Sequence, residues 1–245
     1  MPAVPSVPVK LYLLQLSTTS VPIGEGRTME MVLGCYLIET IDGRRILIDS
    51  GMAADAVAAR TAPPQNECSV LEFLASLGLR AGDIDIVICT HFDVDHAGYQ
   101  DAFPQAQFVV QRTHYEQARS GHPRSATART HWDHAALRYR LLDGDTELMP
   151  GLTLLETSGH ITGHQSVLVR LPNTGAVLLA IDAVMTEQLF TPDRRAWPLD
   201  ENEAQLRAST LKLIETAERE KVSLVVFGHD GLQWRKLKKA PAFYD

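Results

Sequence analysis

The segment from Thr90 to Gly98 constrains this chain more than any other. It reads Thr-His-Phe-Asp-Val-Asp-His-Ala-Gly and follows an apolar run that ends at Cys89, so it is expected where a buried strand ends and a helix begins. Strand alternation is expected to point His91, Asp93 and Asp95 to one side, and the turn into the helix to bring His96 to the same centre. Nitrogen and carboxylate ligands at this density indicate a site for zinc, iron, manganese or cobalt rather than calcium.

Three more candidate ligands follow apolar runs later in the chain, where a sheet edge exposes side chains to a cleft: His160, Asp182 and His229. With the first four they make seven candidates, enough for two metal ions that share one carboxylate and one solvent oxygen. The sequence therefore predicts a dinuclear metal site assembled from distant parts of the chain.

The hydrophobic pattern predicts the same order of elements twice. In the first half, a strand near residues 9–17 leads into a polar loop from Thr18 to Glu30, and a hairpin closes at Asp42-Gly43. In the second half, strands precede a helix expected to begin at Asp200, with Glu203 as its capping partner. Strands followed by helices, twice over, predict an α/β chain whose two sheets pack face to face with helices outside.

Residues 111–140 differ in composition from the rest of the chain. They hold six arginines against Glu116 and Asp133, a local net charge of +4. We expect them to form a helical insertion rather than part of the core. Since no linker or short repeat divides the chain, residues 1–245 are expected to form one domain.

Charge and cysteine content exclude several classes of protein. A net charge of −7 excludes a nucleic-acid binder as judged from overall charge, and no apolar stretch is long enough for a membrane span or signal peptide. Three cysteines without a repeated spacing indicate neither a disulfide framework nor a thiolate zinc site. We therefore expect an unexported cytoplasmic protein, a monomer or homodimer, with no nucleic-acid or membrane partner.

These motifs resemble the metallo-β-lactamase superfamily. Its usual His-x-His-x-Asp-His motif is present here as His91-x-Asp93-x-Asp95-His96, and within the superfamily the chain is most similar to N-acyl homoserine lactone lactonases. The segments ILIDSG, TSGHITGHQS, AIDAVMT and GHDGLQWRKLKKAPAFYD correspond to segments of that branch in the same order and at similar spacing. The resemblance covers Val9 to Tyr244. It implies an αββα sandwich of two mixed β-sheets flanked by helices, with the metal ions at one sheet edge.

The resemblance also implies a role for each candidate ligand. One metal ion would be bound by His91, Asp93 and His160, the other by Asp95, His96 and His229, and Asp182 would bridge them. Asp49, in the ILIDSG turn, would support the metal-binding loop and orient a ligand rather than bind metal itself.

Two residues depart from the lactonase pattern. Asp93 stands where the lactonases usually have a histidine, so two divalent ions, three carboxylates and a hydroxide sum to zero rather than +1. That charge favours manganese, iron or cobalt relative to zinc, the metal implied by the family. Met185 stands where they usually have a tyrosine whose hydroxyl helps to hold the substrate carbonyl, so a donor is missing from the expected substrate contacts.

The implied function is hydrolysis of a small-molecule lactone, in particular an N-acyl homoserine lactone, by a hydroxide held between two divalent ions. Asp95 is the candidate catalytic residue, which carries a proton from the attacking water to the leaving oxygen. The 18–30 loop and the arginine-rich segment are expected to form a wall for the acyl chain. The alternatives are another esterase, thioesterase or phosphoesterase of this fold, a flavodiiron-like redox protein, or a metal-binding module without turnover.

Overall fold

Two mixed β-sheets form the centre of the computed structural model, which describes residues 6–24, 26–58 and 67–245. The strands of the first sheet are, in spatial order, β1 (Pro8–Pro22), β2 (Thr28–Thr40), β3 (Arg45–Ile48), β4 (Ile86–Ile88), β5 (Gln107–Gln111) and β6 (Arg138–Leu142). Strands β1, β2 and β3 pair antiparallel, whereas β3 to β6 pair parallel.

The second sheet contains β7 (Thr146–Met149), β8 (Leu152–Glu156), β9 (Gln165–Leu171), β10 (Gly175–Ile181) and β11 (Leu224–Phe227). Its spatial order is β11-β10-β9-β8-β7, and its pairs are antiparallel except for the parallel pair of β10 with β11. The parallel pairs in both sheets bring several strand ends to a common edge.

Helices flank both sheets. Those before β7 are α1 (Ala54–Ala58), α2 (Val70–Ser76), α3 (Arg112–Arg119), α4 (Pro123–Ala126) and α5 (Arg129–Trp132), and those after β10 are α6 (Glu203–Arg219) and α7 (Gly231–Trp234). Short 3₁₀ turns lie at Ala81–Asp83, Gln100–Ala102 and Glu187–Leu189. No helix among the described residues is long and apolar enough to cross a membrane.

Three apolar layers hold these elements together. The layer between the sheets buries alternate residues of both, such as Ile48 of β3 and Val167 of β9. A second layer packs α2 and α5 on the outer face of the first sheet, and a third packs Leu213 of α6 on the outer face of the second. The order helix, sheet, sheet, helix confirms the αββα sandwich predicted from the sequence.

The prediction of a polar loop from Thr18 to Glu30 is wrong. Strands β1 and β2 continue through most of it and pair from Thr18 with Val32 to Pro22 with Thr28. The β-branched residues near the end of β1 fit a strand, and their polarity reflects a ribbon that projects into solvent. Between the strands, Gly24 and Gly26 adopt φ of 91° and 70°, values that favour glycine.

The predicted start of the long helix is also wrong. Helix α6 begins at Glu203, and its N-cap is Asn202, whose side chain accepts a hydrogen bond from the backbone N–H of Gln205 at 3.0 Å. Asp200 instead turns inward, toward residues that local sequence does not reveal. Because aspartate and asparagine are both good N-caps, spacing alone could not decide between them.

The arginine-rich segment contains three short helices, α3 to α5, between residues 112 and 132, and its two ends belong to β5 and β6. The expectation that it lies outside the core is wrong for Trp132, which is fully buried and stacks on Phe92 with 4.7 Å between ring centroids. Large aromatic side chains contribute strongly to a core. The segment therefore packs directly beneath the loop that carries the candidate ligands.

Candidate metal centre

The loop after β4 positions the first four candidates by a turn rather than by strand alternation. Residues 91–93 are not in a strand, and the backbone N–H groups of His96 and Ala97 both donate to the carbonyl oxygen of Asp93, at 3.0 and 3.1 Å. The expectation that the strand continues through Asp95 is therefore wrong. The tight turn nonetheless collects these side chains on one side of the loop.

The structure brings all seven predicted ligands together in three overlapping groups, of which the middle one, His91, His96 and Asp182, links the other two. Site 1 comprises His91, Asp93 and His160, and site 2 comprises Asp95, His96 and His229, with ligand atoms in each group within 4.8 Å of one another. In site 1, Asp93 Oδ2 lies 3.5 Å from Nε2 of each histidine. Since two donors about 2.1 Å from a tetrahedral ion lie roughly 3.4 Å apart, this spacing fits a metal ion.

Asp182 lies between the two sites, and Nε2 of His229 in site 2 contacts both of its oxygens, with Oδ2 at 3.1 Å. Its Oδ2 lies 3.3 Å from Nε2 of His160 in site 1. Its Oδ1 lies 3.5 Å from Nε2 of His96 and 3.0 Å from Nε2 of His229, both in site 2. This is the arrangement expected of a carboxylate that bridges two ions.

Each of the four candidate histidines is oriented by a hydrogen bond from its Nδ1. The acceptors are Thr90 Oγ1 for His91 (3.0 Å), Asp49 Oδ2 for His96 (2.8 Å), Asp200 Oδ1 for His160 (2.8 Å) and the carbonyl oxygen of Val32 for His229 (2.8 Å). These contacts occupy Nδ1 and leave Nε2 of each ring facing the centre, where the lone pair of a neutral imidazole can bind a metal ion.

Asp49 joins the metal-binding loop to β3. Its carboxylate accepts from the backbone N–H and hydroxyl of Thr90, at 2.8 and 2.7 Å, as well as from His96. It adopts a φ of 60°, a strained conformation for a residue with a side chain. Gly98 permits the close packing of the two segments, because a Cβ there would lie 2.2 Å from the backbone nitrogen of Ala53.

Asp200 orients His160 in site 1 as Asp49 orients His96 in site 2. This role for Asp200 was not predicted from the sequence. Its fully buried carboxylate accepts from His160, from the buried guanidinium of Arg194 at 3.0 Å and from the backbone N–H of Trp197 at 2.7 Å. A buried carboxylate is tolerated only when its oxygens are paired in this way. No local signal separates such an aspartate from a helix cap.

Two further buried histidines hold the site rather than contribute to it. His114 donates from Nδ1 to the carbonyl oxygen of Thr162 at 2.9 Å and accepts on Nε2 from the backbone N–H of Phe92 at 2.8 Å. Burial, reinforced by the neighbouring His91, lowers the pKa of His114 to about 3. His164 likewise accepts from the backbone N–H of Asp182, and burial lowers its pKa well below the usual value.

The donor set fits a pair of divalent ions. Nε2 of His91, Nε2 of His96 and Oδ1 of Asp182 are buried without a hydrogen-bond partner among the residues that the structure describes. Each such atom costs about 1–3 kcal/mol unless something binds it. Burial works to raise the pKa of Asp182, but His229 and His96 outweigh it and hold that pKa well below its ordinary value, so the carboxylate is ionised and available to a cation.

Arg124 was not predicted as part of the site. Its guanidinium pairs with the carboxylate of Asp93 and lies 2.7 Å from Nε2 of His160. Burial works to raise the pKa of Asp93, but the neighbouring histidines and Arg124 outweigh it and hold that pKa well below its ordinary value. The only signal in the sequence was the local excess of arginine, which does not single out one position.

Met185 is 3% exposed, and its carbonyl oxygen accepts from the backbone N–H of His229 at 2.9 Å. A contact between its side chain and a substrate remains a prediction. A cavity of about 440 Å³ opens between the β1–β2 ribbon and the segments that follow β10 and β11, and Met185 is not among its lining residues. Its lining includes Ile23, Met29, Thr186 and Leu232.

Residues 35–229 match the model of the metallo-beta-lactamase superfamily. The chain is 30% identical to the N-acyl homoserine lactonase AiiA of Bacillus thuringiensis subsp. kurstaki over 97% of this chain and 96% of the relative. It is 31% identical to the N-acyl homoserine lactonase AttM of Rhizobium radiobacter, over 96% and 98%. The fold matches a solved N-acyl homoserine lactone hydrolase with the product N-hexanoyl-L-homoserine at its catalytic metal centre, with a TM-score of 0.85, 28% identity and coverage of 97% and 100%.

Proposed function

The chain belongs to the metallo-beta-lactamase superfamily, and from that premise we propose that it is a metal-dependent lactonase that opens the ring of N-acyl homoserine lactones. The observation that carries the proposal is Asp182, whose carboxylate contacts histidines of both ligand groups, His160 in site 1 and His96 in site 2. Similarity to lactonases over nearly the whole chain supports the choice of substrate.

In this proposal the residues of site 1 and of site 2 would each hold one divalent ion, and Asp182 would be shared between them. When bound, the two ions supply Lewis acidity, which acidifies water and stabilises negative charge on the oxygens of the lactone. Zinc is the metal implied by the family, whereas the additional carboxylate of Asp93 favours manganese, iron or cobalt. Elemental analysis of protein purified without chelator identifies the metal.

Asp95 is the residue that we expect to move the proton. Its side chain is 22% exposed and lies beside site 2, with Oδ2 3.7 Å from Nε2 of His96. The water oxygen bonds to the carbonyl carbon, and the bond from that carbon to the ring oxygen breaks. Asp95 accepts a proton from the water and delivers it to the ring oxygen, so lactone plus water gives one hydroxy acid.

The cavity between the β1–β2 ribbon and the segments that follow β10 and β11 is the proposed place for the acyl chain. Ile23 and Met29 of the β1–β2 ribbon give it an apolar wall on one side, and Leu232 gives one on the other. Pockets for small molecules combine such apolar walls with a few polar groups. This supports the expectation that the 18–30 segment contacts the substrate, although as strands and a turn rather than a loop.

We also propose that the protein acts in the cytoplasm. Its three cysteines are unpaired in the structure, and two of them, Cys35 and Cys89, are buried. Unpaired thiols are typical of a reducing compartment. Cell fractionation followed by detection of the native protein tests this location.

The experiment for the proposed function is a substrate panel. The metal-bound protein is expected to release acid from homoserine lactones, and His96→Ala and His229→Ala are each expected to abolish that release. His131→Ala is the matched control, because its ring contacts Asp101 away from both sites. Metal-bound wild-type protein that opens no lactone but rapidly cleaves a thioester or phosphoester would assign the chain to another activity of the fold.

A further inference from the structure

Arg124 reaches site 1 from helix α4 and is held there by several contacts. Its Nε donates to Asp93 Oδ1 at 3.1 Å, and Nη2 contacts both Asp93 Oδ2 and Nε2 of His160. Its Nη1 donates to the carbonyl oxygens of His160, at 2.9 Å, and of Leu199. The side chain is 22% exposed, so the guanidinium borders solvent while its direction is fixed.

These contacts use all five N–H groups of the guanidinium, and one of them is unlike the others. Four go to oxygens of carboxylate or carbonyl groups, which have two lone pairs and can accept a hydrogen bond while also binding a cation. The fifth goes to Nε2 of His160, which has a single lone pair. His160 can therefore accept from Arg124 or bind a metal ion, but not both.

We propose that Arg124 is a further catalytic residue of this site, which gives this fifth N–H to the ester carbonyl oxygen of the substrate when His160 binds metal. The inference rests on the proposed function. The other four contacts hold the guanidinium in place, so the freed N–H remains beside site 1. Met185 offers no N–H or O–H from its side chain, and a fixed donor aimed at a developing oxyanion is one of the most effective catalytic devices.

The guanidinium of Arg124 also balances the negative charge of Asp93. The carboxylate removes one positive charge from the site relative to a histidine, and its pairing with Arg124 returns it. A guanidinium that binds a carboxylate through two parallel hydrogen bonds is stronger and more directional than a lysine ammonium. Arg124 thus compensates for the additional carboxylate and at the same time competes with a cation for His160.

The test compares Arg124→Met, Arg124→Lys and a control, Arg112→Met. Arg112 lies in the same helical segment but pairs with Asp143 at 2.9 Å, on an exposed surface. Zinc affinity is measured by competition with a chromophoric chelator, and kcat and KM are measured with N-hexanoyl homoserine lactone. Circular dichroism establishes that each variant is folded, and Arg124→Lys carries the test if Arg124→Met does not fold.

Arg124→Met is expected to keep both ions and to bind the weaker one roughly tenfold more tightly, since a competing cation is gone. Its kcat is expected to fall about 10²-fold to 10³-fold with KM changed far less, the effect of removing one oxyanion donor. Arg124→Lys is expected to recover part of kcat, because lysine keeps the positive charge but lacks the two parallel N–H donors of the guanidinium. Arg112→Met is expected to match the wild type in all three measurements.

Two results would overturn the inference. One is a kcat of Arg124→Met equal to that of wild type. The other is loss of an ion in that variant, which would make Arg124 a support for the site. Wild-type protein that opens no lactone would instead refute the proposed function. In that case the chelator assay still tests the inference. An unchanged zinc affinity in Arg124→Met would show that Arg124 does not compete with zinc for His160.

Discussion

Sites 1 and 2 have the same kinds of candidate ligands and differ in one positively charged side chain, Arg124, which lies only at site 1. Each contains a histidine whose Nδ1 donates to a buried carboxylate at 2.8 Å, His96 to Asp49 in site 2 and His160 to Asp200 in site 1. Each also contains one candidate aspartate ligand, but only that of site 1, Asp93, pairs with an arginine, Arg124. An additional carboxylate next to a metal site is thus accompanied by its own counter-charge. The departure from the lactonase pattern stays confined to one half of the centre.

The residue common to both sites should show the largest effect. Asp182→Ala is expected to lower metal content by more than one ion per chain and activity by on the order of 10³-fold, because one side chain serves both ions. Elemental analysis and the lactone assay measure these quantities. Asp145→Ala is the control, since Asp145 is 46% exposed and pairs with Lys212. Retention of one tightly bound ion in Asp182→Ala would show that Asp182 belongs to a single site and is not shared by the two.

The next effect separates the sites by charge. The sequence alone suggests that Asp93→His restores the usual ligand set, with activity extending to lower pH and a preference for zinc. In the structure that substitution also leaves Arg124 without its carboxylate. We therefore expect Asp93→His to lower the affinity for the second metal ion about tenfold. The double variant Asp93→His/Arg124→Met is expected to restore that affinity and to show the pH profile shifted to lower pH.

Rates against pH for wild type, the single variant and the double variant, each with zinc and with manganese, test this expectation. Superimposable profiles in all six preparations would mean that Asp93 does not tune the site. A single variant that binds both ions as tightly as the double variant would show that Arg124 is not coupled to Asp93.

The carboxylates that orient the histidines should have smaller and separable effects. Asp49→Asn and Asp200→Asn each keep the shape of the side chain and remove its charge, and each is expected to cost 10-fold to about 100-fold in affinity for one ion. The two losses should fall on different ions, which spectra of the cobalt-substituted protein distinguish. If both substitutions weaken the same ion, the assignment of one carboxylate to each site is wrong.

The smallest expected effect concerns the support of site 1 at acidic pH. The folded pKa of His114 is lowered to about 3, so between that value and its ordinary pKa of 6.5 the unfolded chain binds a proton that the folded chain does not. The free energy of unfolding therefore falls as pH decreases through this range. From pH 7 to pH 5, His114 should contribute up to about 2 kcal/mol of that fall.

Urea unfolding of wild type and His114→Gln at pH 7 and pH 5 measures this contribution. Glutamine offers a donor and an acceptor in place of the ring nitrogens, and it does not titrate. The variant is expected to lose less stability between the two pH values than wild type. Equal losses in the two proteins would mean that other groups cause the acid sensitivity.

The sequence by itself determined the fold class and which seven side chains meet at the site. Hydrophobic periodicity is local, and ligands that directly follow apolar strands, such as His160 after β8 and Asp182 after β10, come to a common edge once the strands form sheets. His229 follows β11 by the same rule. A pattern spanning a few residues was therefore enough to find them.

Only the tertiary structure decided how those ligands are held and what else enters the site. Arg124 contacts Asp93 across 31 residues of sequence, and Asp200 contacts His160 across 40. Contacts at that distance depend on how separate elements pack, and no periodicity or spacing encodes them. The local sequence of Asp200 equally suits a helix cap. Its burial beside Arg194, which only the packing decides, places it against His160 instead.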